Sequence, residues 1–300
     1  MRLIRHLMAG AAVGLLAGAT AAAPVDYLAG ASAQTDDGFV VSFAQQFSAA
    51  QSSAYTSPTT TEIAHSSASL AGGSLHLSTT NIANGSNQGQ VAVATAFVGD
   101  SFTHTAGLDP FTWTSATQAT FNIQLDGATA LNPGPGEVFN LGYVALIIYQ
   151  PGTLSDVVPF CDSTVTQAFF WSVGPQARAT NPCGGSFLGN IEGTVDQLLS
   201  VTFTPGGDFD FAFGMRVGGA FNANLSAPAF GTWFNDFANT ATLSYQAPVG
   251  ATVISSSGVF PGTTAAQVPE PGTLALVGAA AFGFVGWRRP ARRGQQGAIA

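Results

Sequence analysis

Residues 199–217 read LSVTFTPGGDFDFAFGMRV. Leu199, Val201 and Phe203 lead into Pro205-Gly206-Gly207-Asp208, and Phe209, Phe211, Phe213, Met215 and Val217 follow. Apolar residues at alternate positions on both sides of a turn carry the period of two of a strand with one buried face. The segment therefore reads as a hairpin. The same period recurs upstream. Phe39, Val41 and Phe43 alternate with Val40, Ser42 and Ala44, and Val91, Val93, Thr95 and Phe97 alternate with Ala92, Ala94 and Ala96. Phe121, Ile123 and Leu125 run up to Asp126-Gly127, a turn signal. Residues 144–149 (VALIIY) are apolar on both faces, as in a central strand. Trp233, Phe234, Phe237, Leu243 and Tyr245 are further core candidates. Outside the two ends, one short helix is expected at 194–198, where Thr194 and Gln197 have capping-box spacing. The expected fold is all-β: a single β-sandwich of jelly-roll type.

Composition narrows function. The 300 residues are 46% hydrophobic and only 8% charged, against a usual charged share of about 25%. All eight basic residues are arginine, so P-loop and Schiff-base chemistry lack their lysine. Arg2 and Arg5 open the chain, and Arg288, Arg289, Arg292 and Arg293 stand near its end. Residues 34–268 hold 14 acidic residues against two arginines, a net charge near −12. An acidic body excludes nucleic acid and anionic membrane surfaces as partners.

The ends read as sorting signals. Arg2 and Arg5 precede an apolar run at 7–23, and Ala31-Ser32-Ala33 before Gln34 is the expected cleavage site of a signal peptide. Cutting after Ala23 would leave Pro24 first, which signal peptidase accepts poorly. Export places Cys161 and Cys183 in an oxidising compartment, where a disulfide is the expectation. Two buried thiols, or half of a metal site, are the alternatives. At the other end, Pro269-Glu270-Pro271 is followed by an apolar run at 273–287 and then by Arg288, Arg289, Arg292 and Arg293. Prolines keep the motif extended, the run enters the bilayer, and the arginines stop transfer on the cytoplasmic side. Fifteen residues span roughly 22 Å as helix, short of a roughly 30 Å hydrocarbon core, which suits a temporary anchor.

This tail resembles the PEP-CTERM sorting signal of exported Gram-negative bacterial proteins. The resemblance implies recognition by an exosortase, which cuts near the motif and releases or transfers the body. It also implies bacteria that make extracellular polysaccharide. Residues 236–260 are similar to a segment found near the end of many exported PEP-CTERM proteins of unassigned activity. The division expected is signal peptide 1–33, sandwich body 34–260, linker 261–272 with the motif, transmembrane sorting helix with its arginine cluster 273–293, and uncharged tail 294–300. Signal peptidase and exosortase are the processing partners, the inner membrane is a transient one, and exopolysaccharide is the candidate ligand.

Catalytic motifs are missing from the body, which is expected to be no enzyme and to hold no cofactor or metal. There is no Gly-x-Ser-x-Gly elbow and no His-Glu-x-x-His. His65, His76 and His104 are isolated in sequence. His76, between Leu75 and Leu77, points to the face opposite them, whereas His104 shares the parity of Phe102. Glu62 and His65 lie three apart inside a Ser/Thr-rich stretch at 48–80 that reads equally as loop, exposed strand or glycosylated segment. Asp208 and Asp210 beside Gly206-Gly207 have the oxygen chemistry of a calcium site, with a solvated turn as the plainer reading. Two further functions stay open: a carbohydrate-binding module with Trp113, Trp171, Trp233 and Tyr149 as a stacking platform, and an exported glycosidase with a hidden carboxylate pair.

Overall fold

The structure is a computed structural model describing residues 25–86, 90–134, 137–155, 163–174, 185–222 and 228–260. The described residues form strands and no helix. In chain order the strands are β1 (Tyr27–Thr35), β2 (Gly38–Ala44), β3 (Ser48–Ser57), β4 (Thr60–Ser69), β5 (Ser74–Ser86), β6 (Gln90–Ala106), β7 (Asp109–Pro110) and β8 (Ala119–Pro133). They continue as β9 (Glu137–Asn140), β10 (Gly142–Tyr149), β11 (Val165–Val173), β12 (Ser186–Ile191), β13 (Thr194–Phe203), β14 (Phe209–Asn222), β15 (Ala229–Gln246) and β16 (Thr252–Ser255). One sheet has the order β12-β11-β10-β14-β6-β1-β2, with β7 and β16 also on β6 and β9 on β14. The other has the order β13-β8-β15-β5-β4-β3.

The two sheets pack as a sandwich with jelly-roll topology. The chain passes between sheets through β5, β6, β8 and β10, then returns through β11, β13, β14 and β15. The result is two interleaved arrays, β5-β15-β8-β13 and β6-β14-β10-β11, the double Greek key of a jelly roll. Between them lie Phe209, Phe211, Phe213, Met215 and Val217 from β14 and Phe121, Ile123 and Leu125 from β8. Each such side chain contributes roughly 2 kcal/mol by leaving water. Phe102 sits at the aromatic centre, its ring 4.8 Å from both Phe211 and Tyr245 and 5.5 Å from Phe260.

The first sheet is apolar on its outer face as well. Phe97, Ala145, Ile147, Tyr149, Phe170 and Ala212 form a second buried cluster with Val25, Leu28 and Leu154. That is why 144–149 reads apolar on every residue, and why both Phe97 and its neighbour Ala96 are buried. The outer face of the second sheet is the opposite, dominated by Ser, Thr and His.

Several expectations need correction. Residues 199–217 are two strands joined by a turn, but β13 pairs with β8 and β14 with β6 and β10, so the turn changes sheets and is no hairpin. Asp126-Gly127 is no turn. It lies within β8, and a Cβ on Gly127 would sit 2.4 Å from the Asp236 carbonyl oxygen and 2.5 Å from the Phe237 ring, so the glycine serves close packing. The short helix at 194–198 is the start of β13, where ten residues pair with β8 and Val195 turns inward. Tertiary pairing outweighs a capping pattern.

The expected cut after Ala33 falls inside β1. Ala31, Ala33 and Gln34 are buried in that strand, which is hydrogen-bonded between β6 and β2. Cleavage there would remove seven of its nine residues and separate β2 from the sheet. A cut upstream of Val25, whose N–H donates to the Leu154 carbonyl at 2.8 Å, would leave β1 whole.

At the other end, residues 252–260 close the sandwich. β16 pairs with β6, and the Ser257 N–H and hydroxyl both donate to Asp100. Gly258 takes the left-handed φ of 70° that the tight turn needs, and Phe260 is buried. The Ser-Ser-Gly stretch is thus a latch before the tail. Cys161, Cys183, the Pro269-Glu270-Pro271 motif, the apolar run and the four terminal arginines lie outside the described residues, as does the chain before Val25.

Candidate functional site

The outer face of the second sheet carries a hollow of about 430 Å³ across β3, β4 and β5. One hairpin register builds it. The turn at Leu70–Gly73 sets His65 opposite Ser78 and Ser67 opposite His76, and the β3–β4 pairing sets Ser52 opposite His65. Cross-strand partners share a face, so both imidazoles and Ser52, Ser67 and Ser78 project to solvent together. The inward positions between them are Ala64, Ser66, Ala68, Leu75 and Leu77, all buried. The Ser/Thr-rich stretch is therefore a strand meander, with Ala, Ser and Leu among its inward residues and hydroxyls and imidazoles outside.

A bulge in β15 between Phe237 and Ala241 forms one wall of the hollow, at Ala238. Nδ1 of His76 lies 2.7 Å from the Ala238 carbonyl oxygen. A carbonyl only accepts, so Nδ1 carries the proton, and in the neutral ring Nε2 is left as an acceptor. Asp236 accepts a hydrogen bond from the Ala238 N–H at 3.0 Å and so holds the bulge. The hollow offers hydroxyls, amides and two imidazoles, and its lining includes no carboxylate. Beyond it on the same face, Ile82, Phe230 and Phe234 are more than a third exposed. Hydroxyls and ring nitrogens beside exposed aromatic rings can take up a hydroxyl-rich ligand by hydrogen bonding and stacking.

His104 is placed quite differently. Its Nδ1 meets Asp208 at 3.2 Å and its Nε2 meets the Tyr245 hydroxyl at 2.8 Å. Burial lowers its pKa, and Asp208 opposes the shift. The Asp–His–hydroxyl order resembles a catalytic relay, but His104 is 2% exposed and Tyr245 5%. The chain of bonds ties β6 and β15 to the β13–β14 turn. Asp208 also accepts the His104 N–H, whereas Asp210 accepts from Thr153 and Leu154, so the two acids serve separate loops. Among the described residues, no three His, Cys, Asp or Glu side chains converge to hold a metal.

The four stacking candidates do not form a platform. Trp171, Trp233 and Tyr149 are buried, and Trp113 is half-buried with its ring 4.7 Å from His104. Exposed rings come instead from Phe230 and from Phe234, a core candidate by sequence. The missed signal was register: the Gly72-Gly73 turn between two Ser/Thr strands already pairs His65 with Ser78.

Among the described residues no helix is long and apolar enough to cross a membrane. Comparison with protein families matches residues 267–293 to the PEP-CTERM protein-sorting motif. The match spans the Pro-Glu-Pro motif, the apolar run and all four terminal arginines. No curated protein matches the chain. The chain carries the PEP-CTERM sorting motif and with it the address of an exported, exosortase-processed protein bound for the cell surface.

Proposed function

We propose that the processed body is a non-catalytic surface or extracellular-matrix protein that binds the exopolysaccharide of its own cell. In this reading the apolar run holds the chain in the inner membrane until exosortase cuts at Pro269-Glu270-Pro271. The body then leaves for the surface or the matrix. The observation that carries the binding half is the hydroxyl-lined hollow at His65 and His76, open to solvent beside Phe234 on the one sheet face left polar. Its lining includes no carboxylate for acid–base hydrolysis.

The test is co-sedimentation of the processed protein with polysaccharide purified from the exporting cells. Retention is expected, and a His65→Ala, His76→Ala, Phe234→Ala variant should lose it at an unchanged melting temperature. No retention of the parent protein, or equal retention of the variant, contradicts the proposal. Sorting is tested separately by Pro269→Ala, Glu270→Ala in an exosortase-bearing host; an unchanged mature mass would remove the exosortase step.

A further inference from the structure

The hairpin register that pairs His65 with Ser78 outside also pairs Glu62 with Asn81 inside. Both are buried, at 0% and 1% exposure. Glu62 accepts the Asp36 N–H through Oε2 at 2.6 Å and its carboxyl also meets the Asp36 carboxyl, while Oε1 has no donor. Asn81 donates through Nδ2 to the Gly219 carbonyl of β14 at 3.4 Å, and its Oδ1 has no partner. Gln90, the first residue of β6 and 1% exposed, donates to the Thr60 hydroxyl at 2.7 Å. Its Oε1 is again unpartnered. Thr60 lies two residues before Glu62 and shares its inward face.

Three buried oxygens from β4, β5 and β6 thus lack donors between the sheets: Glu62 stands opposite Asn81 in the ladder and meets Asp36, and Gln90 reaches Thr60, two residues from Glu62 on the same face. With the amides as placed, every orphan in this set is an acceptor. Turning the Asn81 amide would set its oxygen against the Gly219 carbonyl, so Oδ1 stays the free atom. Buried acceptors without donors are rare in folded proteins, and an ionised carboxylate without a counter-charge is rarer still. A proton on Glu62 would satisfy one amide oxygen at most. A hard cation would satisfy the carboxylate and both amides together.

We propose that this set of oxygens is a calcium site, with Glu62, Asn81 and Gln90 as side-chain oxygen ligands and Asp36 at its rim. Carboxylate and amide oxygens are the donor set that calcium takes in flexible geometry, and magnesium keeps more of its water. Burial pushes the empty Glu62 carboxyl up to about 8, and the Asp36 carboxyl beside it adds to the rise. Export supports the choice of ion, because extracellular calcium sites fill at roughly 0.1–1 mM.

The processed protein, stripped with a chelator, is titrated with calcium alone and, separately, magnesium alone. Binding is followed by calorimetry and unfolding by thermal melt. Calcium is expected to bind and to raise the melting temperature by roughly 5 °C or more at a hundredfold excess over its dissociation constant. Glu62→Gln, which keeps the side-chain shape, and Asp36→Asn at the half-buried rim should remove or weaken that shift. No calcium binding by the parent protein at 10-fold above about 1 mM overturns the site. A calcium shift kept in full by both variants overturns it too, since the ion is then held elsewhere. Should Glu62→Gln fail to fold, the parent titration and Asp36→Asn decide the matter.

Discussion

Asp100 and Glu62 are both carboxylates with 0% exposure, yet the fold treats them in opposite ways. Asp100 receives the Ser101 N–H at 2.9 Å, the Ser257 N–H at 3.1 Å and the Ser257 hydroxyl. Burial still raises its pKa, but these donors hold it to about 6. Glu62 receives one N–H, and burial with the Asp36 carboxyl beside it pushes it up to about 8. A buried carboxylate can be satisfied by protein donors, as at Asp100, or by a bound cation, as proposed at Glu62. The first makes a latch, the second a binding site.

The largest effect is expected from Asp100→Ala. It orphans two N–H groups and a hydroxyl at the point where residues 252–260 close the sandwich, and should cost roughly 3–5 kcal/mol. Chemical denaturation measures this; a loss under about 1 kcal/mol would mean the latch is ornamental.

The pH profile comes next. A carboxyl whose pKa rises on folding binds its proton more tightly in the native state. Asp100 therefore lends stability that is fully present below about 4 and is lost as pH rises through about 6. The span corresponds to roughly 3 kcal/mol. Asp100→Asn keeps the acceptor and should flatten that part of the profile. Identical slopes in parent and variant would show that Asp100 does not titrate as its surroundings demand.

For Glu62 the comparison runs the other way. Glu62→Gln in chelator should stay within about 1 kcal/mol of the parent, because the amide keeps the shape of the neutral carboxyl and an oxygen for the Asp36 N–H. A loss of several kcal/mol in chelator would make Glu62 a latch like Asp100. The smallest stability effects belong outside. His65→Ala should change unfolding by less than about 0.5 kcal/mol, since surface substitutions away from special features rarely do more. A larger loss would show that the hollow is structural.

Much of this was legible in the chain. The Phe209–Val217 alternation and the apolar 144–149 run named the core and the central strand, because large apolar side chains mark a buried face clearly. The 48–80 meander was not legible as strands. The inward residues of β4 include Ala64, Ser66 and Ala68, which differ too little from outward Ser and Thr to show a period. Asp126-Gly127 and Thr194–Gln197 misled because each is a local signal, and ladder pairing along β8 and β13 overrode both. The expected signal boundary falls on a strand for a similar reason. Ala31-Ser32-Ala33 has the small residues that a peptidase wants, and a strand packed on both faces wants them too. Glu62 and Asn81 lie 19 residues apart, and the register that unites them also unites His65 with Ser78.

The central claim is that export removes both ends and leaves the jelly roll whole. Intact mass and terminal sequencing of the protein collected from the cell surface or medium test it most directly. The account expects a chain that begins at or before Val25 and ends between Phe260 and Thr273. A chain that begins at Gln34, or one that keeps Arg288 to Arg293, would contradict it.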